Sequence, residues 1–165
     1  MAKESSFDVV SEIDLMEVDN AIQQAQKELA QRYDLKGSGA RIDYAKKEGV
    51  ITVTAPSEFV VGQVSDIVNS KCAKRGIDLG AIRWKATEPA AGAAARRRAV
   101  LVQGIDQETA KKIAKDIRGT KLKAKATVEG DKLRVSSASR DTLQQVIAFL
   151  REQDYGQPLQ YVNYR

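Results

Sequence analysis

Histidine is absent from this sequence, and only one cysteine, Cys72, is present. No Ser-His or Cys-His nucleophile pair can be assembled. One thiol and no imidazole cannot build a structural zinc site. A lone cysteine also excludes an intrachain disulfide, which points to a reducing, cytoplasmic setting. Aromatic residues are 5% of the chain, so its core must be aliphatic. No run approaches the roughly 20 apolar residues of a membrane span. The start, Met1-Ala2-Lys3-Glu4, turns acidic at once and does not read as a signal peptide.

Nucleotide-hydrolase motifs are missing too. There is no G-x-x-x-x-G-K-[ST] loop. Gly37-Ser38-Gly39 lacks the third glycine of a dinucleotide fingerprint and is followed by a predicted strand. The carboxylate pairs Glu12/Asp14 and Glu129/Asp131 fit caps and turns better than acid/base catalysis. These absences together predict a protein that binds rather than catalyses, with no catalytic residue and no metal or cofactor.

What is present is a basic surplus that is unevenly spread. The chain carries a net charge of +5, and 15 of its 27 Lys and Arg lie in residues 96–165, against 8 of its 22 Asp and Glu. Such asymmetry suggests a polyanionic partner for the second half, although a mixed, solvated surface would also produce it.

Hydrophobic periodicity places the elements. A short strand over 6–11 leads to Asp14, which offers a helix cap, with Glu17 placed to complete a capping box. Val18, Ile22, Ala25 and Leu29 come next at helical spacing, predicting a helix over 15–32. Ile42 and Tyr44 alternate with Arg41 and Asp43. Ile51 and Val53 alternate with Thr52 and Thr54. Ser57 caps a second helix that Gly76 stops, and a short strand near 81–85 closes the unit. The second half repeats the order: strand 99–103, helix 106–118, strand 121–128, turn 129–131, strand 132–136, helix 139–150, strand 159–164. Each half reads as β-α-β-β-α-β, a ferredoxin-like or RRM-like unit with two helices on one face of an antiparallel sheet. The domains predicted are residues 1–88 and 99–165, with 89–98, rich in Ala and punctuated by Pro89 and Gly92, as linker.

Strand parity then suggests a site. Lys121, Lys123 and Lys125 would share the open face of the second sheet with Lys132 and Arg134. Cations on adjacent strands repel, so an anionic ligand would relieve them. The competing reading is a solvated face that lysines keep from aggregating. Arg96, Arg97 and Arg98, at the end of the linker, could grip phosphates. Lys111, Lys115 and Arg118 form a stripe of the ordinary kind for an amphipathic helix. Stacking aromatics are scarce. Phe7 is the one on a central strand, and Tyr161 and Tyr164 fall on opposite faces of the last strand. Phosphate contact is thus better provided than base reading.

Several phrases, in order, resemble one family. They are Ser6-Phe7-Asp8-Val9-Val10-Ser11-Glu12, Arg32-Tyr33-Asp34-Leu35-Lys36, Lys74-Arg75-Gly76-Ile77, Gln103-Gly104-Ile105, Lys121-Leu122-Lys123, Gly130-Asp131, Ser139-Arg140-Asp141-Thr142-Leu143-Gln144 and the ending Gly156-Gln157-Pro158-Leu159-Gln160-Tyr161-Val162-Asn163-Tyr164-Arg165. They resemble the YajQ family of bacterial proteins from end to end, the linker excepted. The resemblance implies two tandem ferredoxin-like domains, with exchange of their N-terminal strands as a variant of that arrangement. It also implies a non-enzymatic nucleotide-binding protein, associated with GTP or ATP, tRNA or cyclic di-GMP, and acting as an effector beside a transcription regulator. Val102 and Ser137-Ala138 depart from the family pattern, where lysine and Gly-Lys are common. The expected nucleotide contacts are Lys121, Lys123, Lys125, Arg134, Arg96, Arg97, Arg98 and Phe7. An RNA-binding module using the same face and a protein-interaction adaptor stand as the alternatives.

Overall fold

Strand pairing divides the chain differently from its apparent repeat. The computed structural model describes residues 4–165. Among these described residues, nine strands and four α-helices follow in order: β1 (Ser5–Val10), α1 (Leu15–Gln31), β2 (Arg41–Ala45), β3 (Val50–Ala55), α2 (Glu58–Lys74), β4 (Ile82–Trp84), β5 (Glu88–Pro89), β6 (Ala95–Leu101), α3 (Gln107–Gly119), β7 (Lys125–Glu129), β8 (Lys132–Ser137), α4 (Arg140–Arg151) and β9 (Gln160–Val162). They form two units, one of Ile13–Val102 and one of Gln103–Arg165 together with the residues up to Glu12.

In the Ile13–Val102 unit the sheet order is β2-β3-β6-β4, with β5 pairing β6. The other unit has the order β7-β8-β1-β9. Each is the ferredoxin-like order, but each leading strand comes from the other half of the sequence. β1 pairs β8 and β9, and β6 pairs β3 and β4, all antiparallel. The exchange that the family resemblance implied is therefore present. The expected linker over 89–98 is, from Ala95 onward, a strand paired along its length with β3. Its alternation is hidden because Arg97 occupies a core-side position opposite Val53. Arg97 is accommodated there by stacking on Trp84, 4.9 Å from the ring centroid, and by donating to the Lys85 carbonyl at 2.9 Å. The Trp84 indole N–H in turn donates to Asn69 Oδ1 at 2.8 Å.

The core of the Ile13–Val102 unit is aliphatic, as the composition required. Val18, Ile22, Ala25 and Leu29 of α1 and Val61, Val64, Val68 and Cys72 of α2 pack onto Ile42, Ile51, Val53 and Ala99. Full burial of each Val, Leu or Ile side chain contributes roughly 1.5–3 kcal/mol. Asp14 caps α1, its carboxylate accepting from the Met16 and Glu17 amides. The expected capping box is only half made. The Glu17 carboxylate pairs with Arg75 at 3.5 Å and accepts from Asn20.

In the other unit, Phe7 and Val9 of β1 and Leu133 and Val135 of β8 meet Ile113, Ile117, Val146, Ile147 and Leu150 of α3 and α4. Gly104 turns the chain from β6 towards α3 with φ +82°, and a Cβ there would meet the Asp131 side chain at 3.0 Å. Two expectations fail here. The strand predicted over 121–128 begins only at Lys125. Residues 120–124 are a turn, in which the Thr120 hydroxyl donates to the Ile117 carbonyl and accepts from the Leu122 amide, and Lys121 is left-handed at φ 61°. Leu122 and Ala124 still pack at the core's edge, which is why they mimic a strand pattern. Tyr161 and Tyr164 do not lie on opposite faces. Their rings stand 6.0 and 6.1 Å from that of Phe7. Asn163, at φ 57°, inserts one extra residue. Val162 is opposite Asp8, yet Arg165 rather than Tyr164 bonds to Ser6. This is a β-bulge, and it reverses the parity of Tyr164 and Arg165.

Candidate functional site

Each sheet carries its helices on one face, so strand parity dictates which side chains stand on the other. On the sheet of β7, β8, β1 and β9 that face presents Lys125, Thr127, Glu129, Lys132, Arg134 and Asp8, cross-strand neighbours in register. The expected row of unpaired cations is not there. Asp8, on the central strand and only 2% exposed, faces Arg134 Nε at 3.3 Å and Lys132 Nζ at 3.5 Å, and Asn163 Nδ2 donates to it at 2.8 Å. Arg134 also lies 3.7 Å from Glu129. Burial tends to raise the Asp8 pKa, but the bonds from Asn163 and Arg134 and the charge of Lys132 outweigh it and hold the carboxyl below its usual value. Lys121 and Lys123 sit in the turn rather than on the sheet, so of the three lysines only Lys125 is on the strand. Phe7 is fully buried opposite Val135 and cannot touch a ligand. Its parity is opposite to that of Asp8.

The other sheet, of β2, β3, β6 and β4, carries a different face. One row across it is Arg41, Thr54, Arg96 and Glu88, and the next is Asp43, Thr52 and Arg98. Arg41, Asp43, Thr52, Thr54, Arg96 and Arg98, with Ala90 and Ala91 from the loop after β5, line a concavity of about 430 Å³. Glu88 Oε1 accepts from Arg96 Nε and lies 3.0 Å from Arg98 Nη1 as well. Arg41 pairs with Asp43 at 3.2 Å, and Arg41 is 70% exposed. Arginines on β2 and β6 are separated by β3, so two strand spacings, about 9.6 Å, lie between their backbones. Thr52 and Thr54 stand between them with hydroxyls that both donate and accept. Such a surface can engage oxyanions bidentately.

The structure thus brings Arg96 and Arg98 together and sends Arg97 to the helix side. Sequence reading missed Arg41, Thr52, Thr54 and Glu88. The parity of Arg41, Thr52 and Thr54 was legible, since they alternate with Ile42, Ile51 and Val53, but the pairings of β6 with β3 and with Glu88 of β5 were not. A larger concavity, about 470 Å³, lies at the end of α4 among Arg151, Asp154, Tyr155, Tyr161 and Tyr164. Arg151 is its one cation and Asp154 offsets it, so it lacks the charge to hold an anion. Among the described residues no cluster of His, Cys, Asp and Glu could hold a metal ion, and no helix is long and apolar enough to cross a membrane.

The fold and this face define an α+β protein of two ferredoxin-like units with a ligand-sized, arginine-lined hollow on one sheet. Comparison with known proteins places it further. Residues 5–165 match the family model described as "Nucleotide-binding protein YajQ-like". A protein named "Nucleotide-binding protein" from Heliobacterium modesticaldum is 47% identical over 165 residues, covering 100% of this chain and 99% of its own. One of the same name from Chloroherpeton thalassium is 44% identical, with 100% of both chains covered. Another nucleotide-binding protein, from Thioalkalivibrio sulfidiphilus, is 48% identical over 160 residues, covering 97% of this chain and 98% of its own. The chain belongs to the YajQ family.

Proposed function

We propose that this protein binds nucleotides without transforming them, and that the open face of the β2-β3-β6 sheet holds their phosphates. The observation that carries this reading is the hollow lined by Arg41, Arg96 and Arg98 with Thr52 and Thr54. Guanidiniums in pairs suit phosphate oxygens, and hydroxyls suit the remaining acceptors or a ribose. The carboxylates of the face, Asp43 and Glu88, are engaged by arginines rather than poised as bases. The names of the relatives support the ligand class. A nucleotide-responsive effector role, with GTP, ATP or cyclic di-GMP as signal and a transcription regulator as partner, belongs to the same reading. The test is calorimetric titration with GTP and ATP. Arg96→Ala combined with Arg98→Ala should weaken binding at least about tenfold and leave the melting temperature near that of the parent, because both side chains are partly exposed. Unchanged affinity would remove this face.

One observation favours RNA as a second ligand. Lys121, Lys123 and Lys125 are exposed, and among the described residues no ion pair holds them. The preceding helix α3 carries three further cations, Lys111, Lys115 and Arg118. Binding of short single-stranded RNA there should lose about 0.7 in log K per phosphate contact for each decade of salt. A flat salt response would exclude it.

A further inference from the structure

The nucleotide reading leaves open which phosphates the hollow accepts, and Glu88 bears on that question. β5 is only Glu88–Pro89, but it pairs in register with Arg96 and Ala95 of β6. This places one carboxylate oxygen 3.0 Å from both Arg96 Nε and Arg98 Nη1. Those nitrogens are among the donors that an incoming phosphate would use. The segment is stitched back by the Ala90 amide bonding to the Ala94 carbonyl at 2.8 Å, and its Ala90 and Ala91 form part of the hollow's wall. The carboxylate is therefore a tethered anion already seated on two of the three arginines.

We infer that Glu88 is a built-in competitor which lowers this site's affinity for every anion alike, so that terminal phosphate groups still bind while phosphodiesters are left with little net attraction. The inference rests on the nucleotide reading of this face. A ligand reaching Arg96 and Arg98 must displace a carboxylate of one negative charge that the chain holds in place. A phosphodiester, as in a cyclic dinucleotide or an internal RNA linkage, also carries one charge. It exchanges like for like while losing the freedom of an untethered molecule, so little net attraction remains. A terminal phosphate carries about −1.5 to −2 at pH 7 and has three acceptor oxygens. It outcompetes the carboxylate and has oxygens left for Arg41 and the threonines. Displaced Glu88 is returned to water without a burial penalty, since its side chain is 43% exposed even when paired.

The experiment titrates the full chain with GTP, GMP and cyclic di-GMP, as wild type and as Glu88→Gln, Glu88→Asp and Arg96→Ala/Arg98→Ala. Wild type should bind GTP at least about tenfold more tightly than cyclic di-GMP. Glu88→Gln, which keeps the shape and removes the charge, should tighten both ligands by a similar factor, about tenfold. Glu88→Asp keeps the charge but shortens the reach by one methylene, so it should also tighten them, whereas a mere background field would leave it at the wild-type value. GMP affinity should fall as pH drops through about 6, where the terminal phosphate gains a proton, and cyclic di-GMP affinity should not. Wild-type protein that binds cyclic di-GMP as tightly as GTP, or Glu88 variants that change neither ligand, would overturn the inference while the nucleotide reading survived. Binding that also ignores the loss of Arg96 and Arg98 would overturn both. Melting temperatures of all variants report on folding throughout.

Discussion

Asp8 shows how one residue converts a row of cations into a structural device. It lies on the central strand of its sheet, almost fully buried, and draws Lys132, Arg134 and Asn163 onto itself. Asp8→Asn should therefore destabilise the protein by about 1–3 kcal/mol in urea unfolding. The upper values for buried pairs are discounted because Lys132 and Arg134 are each 35% exposed and can rehydrate. The Asp8 carboxyl is held below its usual 3.8 in the folded state. Its stabilisation is complete above the unfolded value and is lost as pH falls through the lower, folded one. Wild type and Asp8→Asn should thus differ most near neutral pH and converge in strong acid, as followed by thermal melts. Cys72 gives a second check at this scale. Fully buried, its thiol is pushed up by burial to about 11. A thiol reagent at neutral pH should leave the folded protein untouched and label it as it unfolds.

At the scale of elements, the segment between α3 and β7 separates pattern from conformation. Its alternating Lys, Leu and Ala read as a strand, yet Thr120 ends the helix and Lys121 takes a left-handed turn. Lys121→Gly should stabilise the protein by about 0.5–1 kcal/mol, because glycine adopts positive φ without the Cβ clash. A strand at that position would give the opposite sign, and urea unfolding distinguishes the two. The start of α1 offers a complementary case, in which sequence and structure agree. Asp14→Ala removes the acceptor for the Met16 and Glu17 amides and should cost about 1 kcal/mol.

At the scale of the molecule, strand exchange decides which pieces can fold. Residues 13–102 contain every strand of one sheet and both of its helices. As a fragment they should give a dispersed amide spectrum and a cooperative melt. Residues 1–88 lack β6, the strand between β3 and β4, and residues 99–165 lack β1, the strand between β8 and β9. Each of these pieces leaves a central ladder open and a core face uncovered, with Phe7 and Val9 missing from the second. Neither should fold alone, although the sequence repeat would cut the chain there. A stable 99–165 fragment would contradict the exchange.

The sequence by itself determined what is local. Asp14, Ser57, Asp106 and Ser139 cap the four helices as their positions indicated, and the alternation of Ile42, Ile51, Val53, Leu133 and Val135 assigned the core faces of β2, β3 and β8. The absence of histidine and the scarcity of thiols limited the chemistry before any fold was known. Family resemblance added the exchange as an option. Tertiary structure decided what depends on neighbours distant in the chain. The register Asp8↔Arg134 spans the length of the protein, and it turned an expected ligand site into an internal ion-pair network. The pairing of β3 with β6 put Arg41, Thr52 and Thr54 beside Arg96 and Arg98, a site no local pattern announces. Side-chain parity comes from each strand's own alternation, but a site on a sheet depends on which strands lie side by side. That choice is made by burying cores, where residues close in space need not be close in sequence.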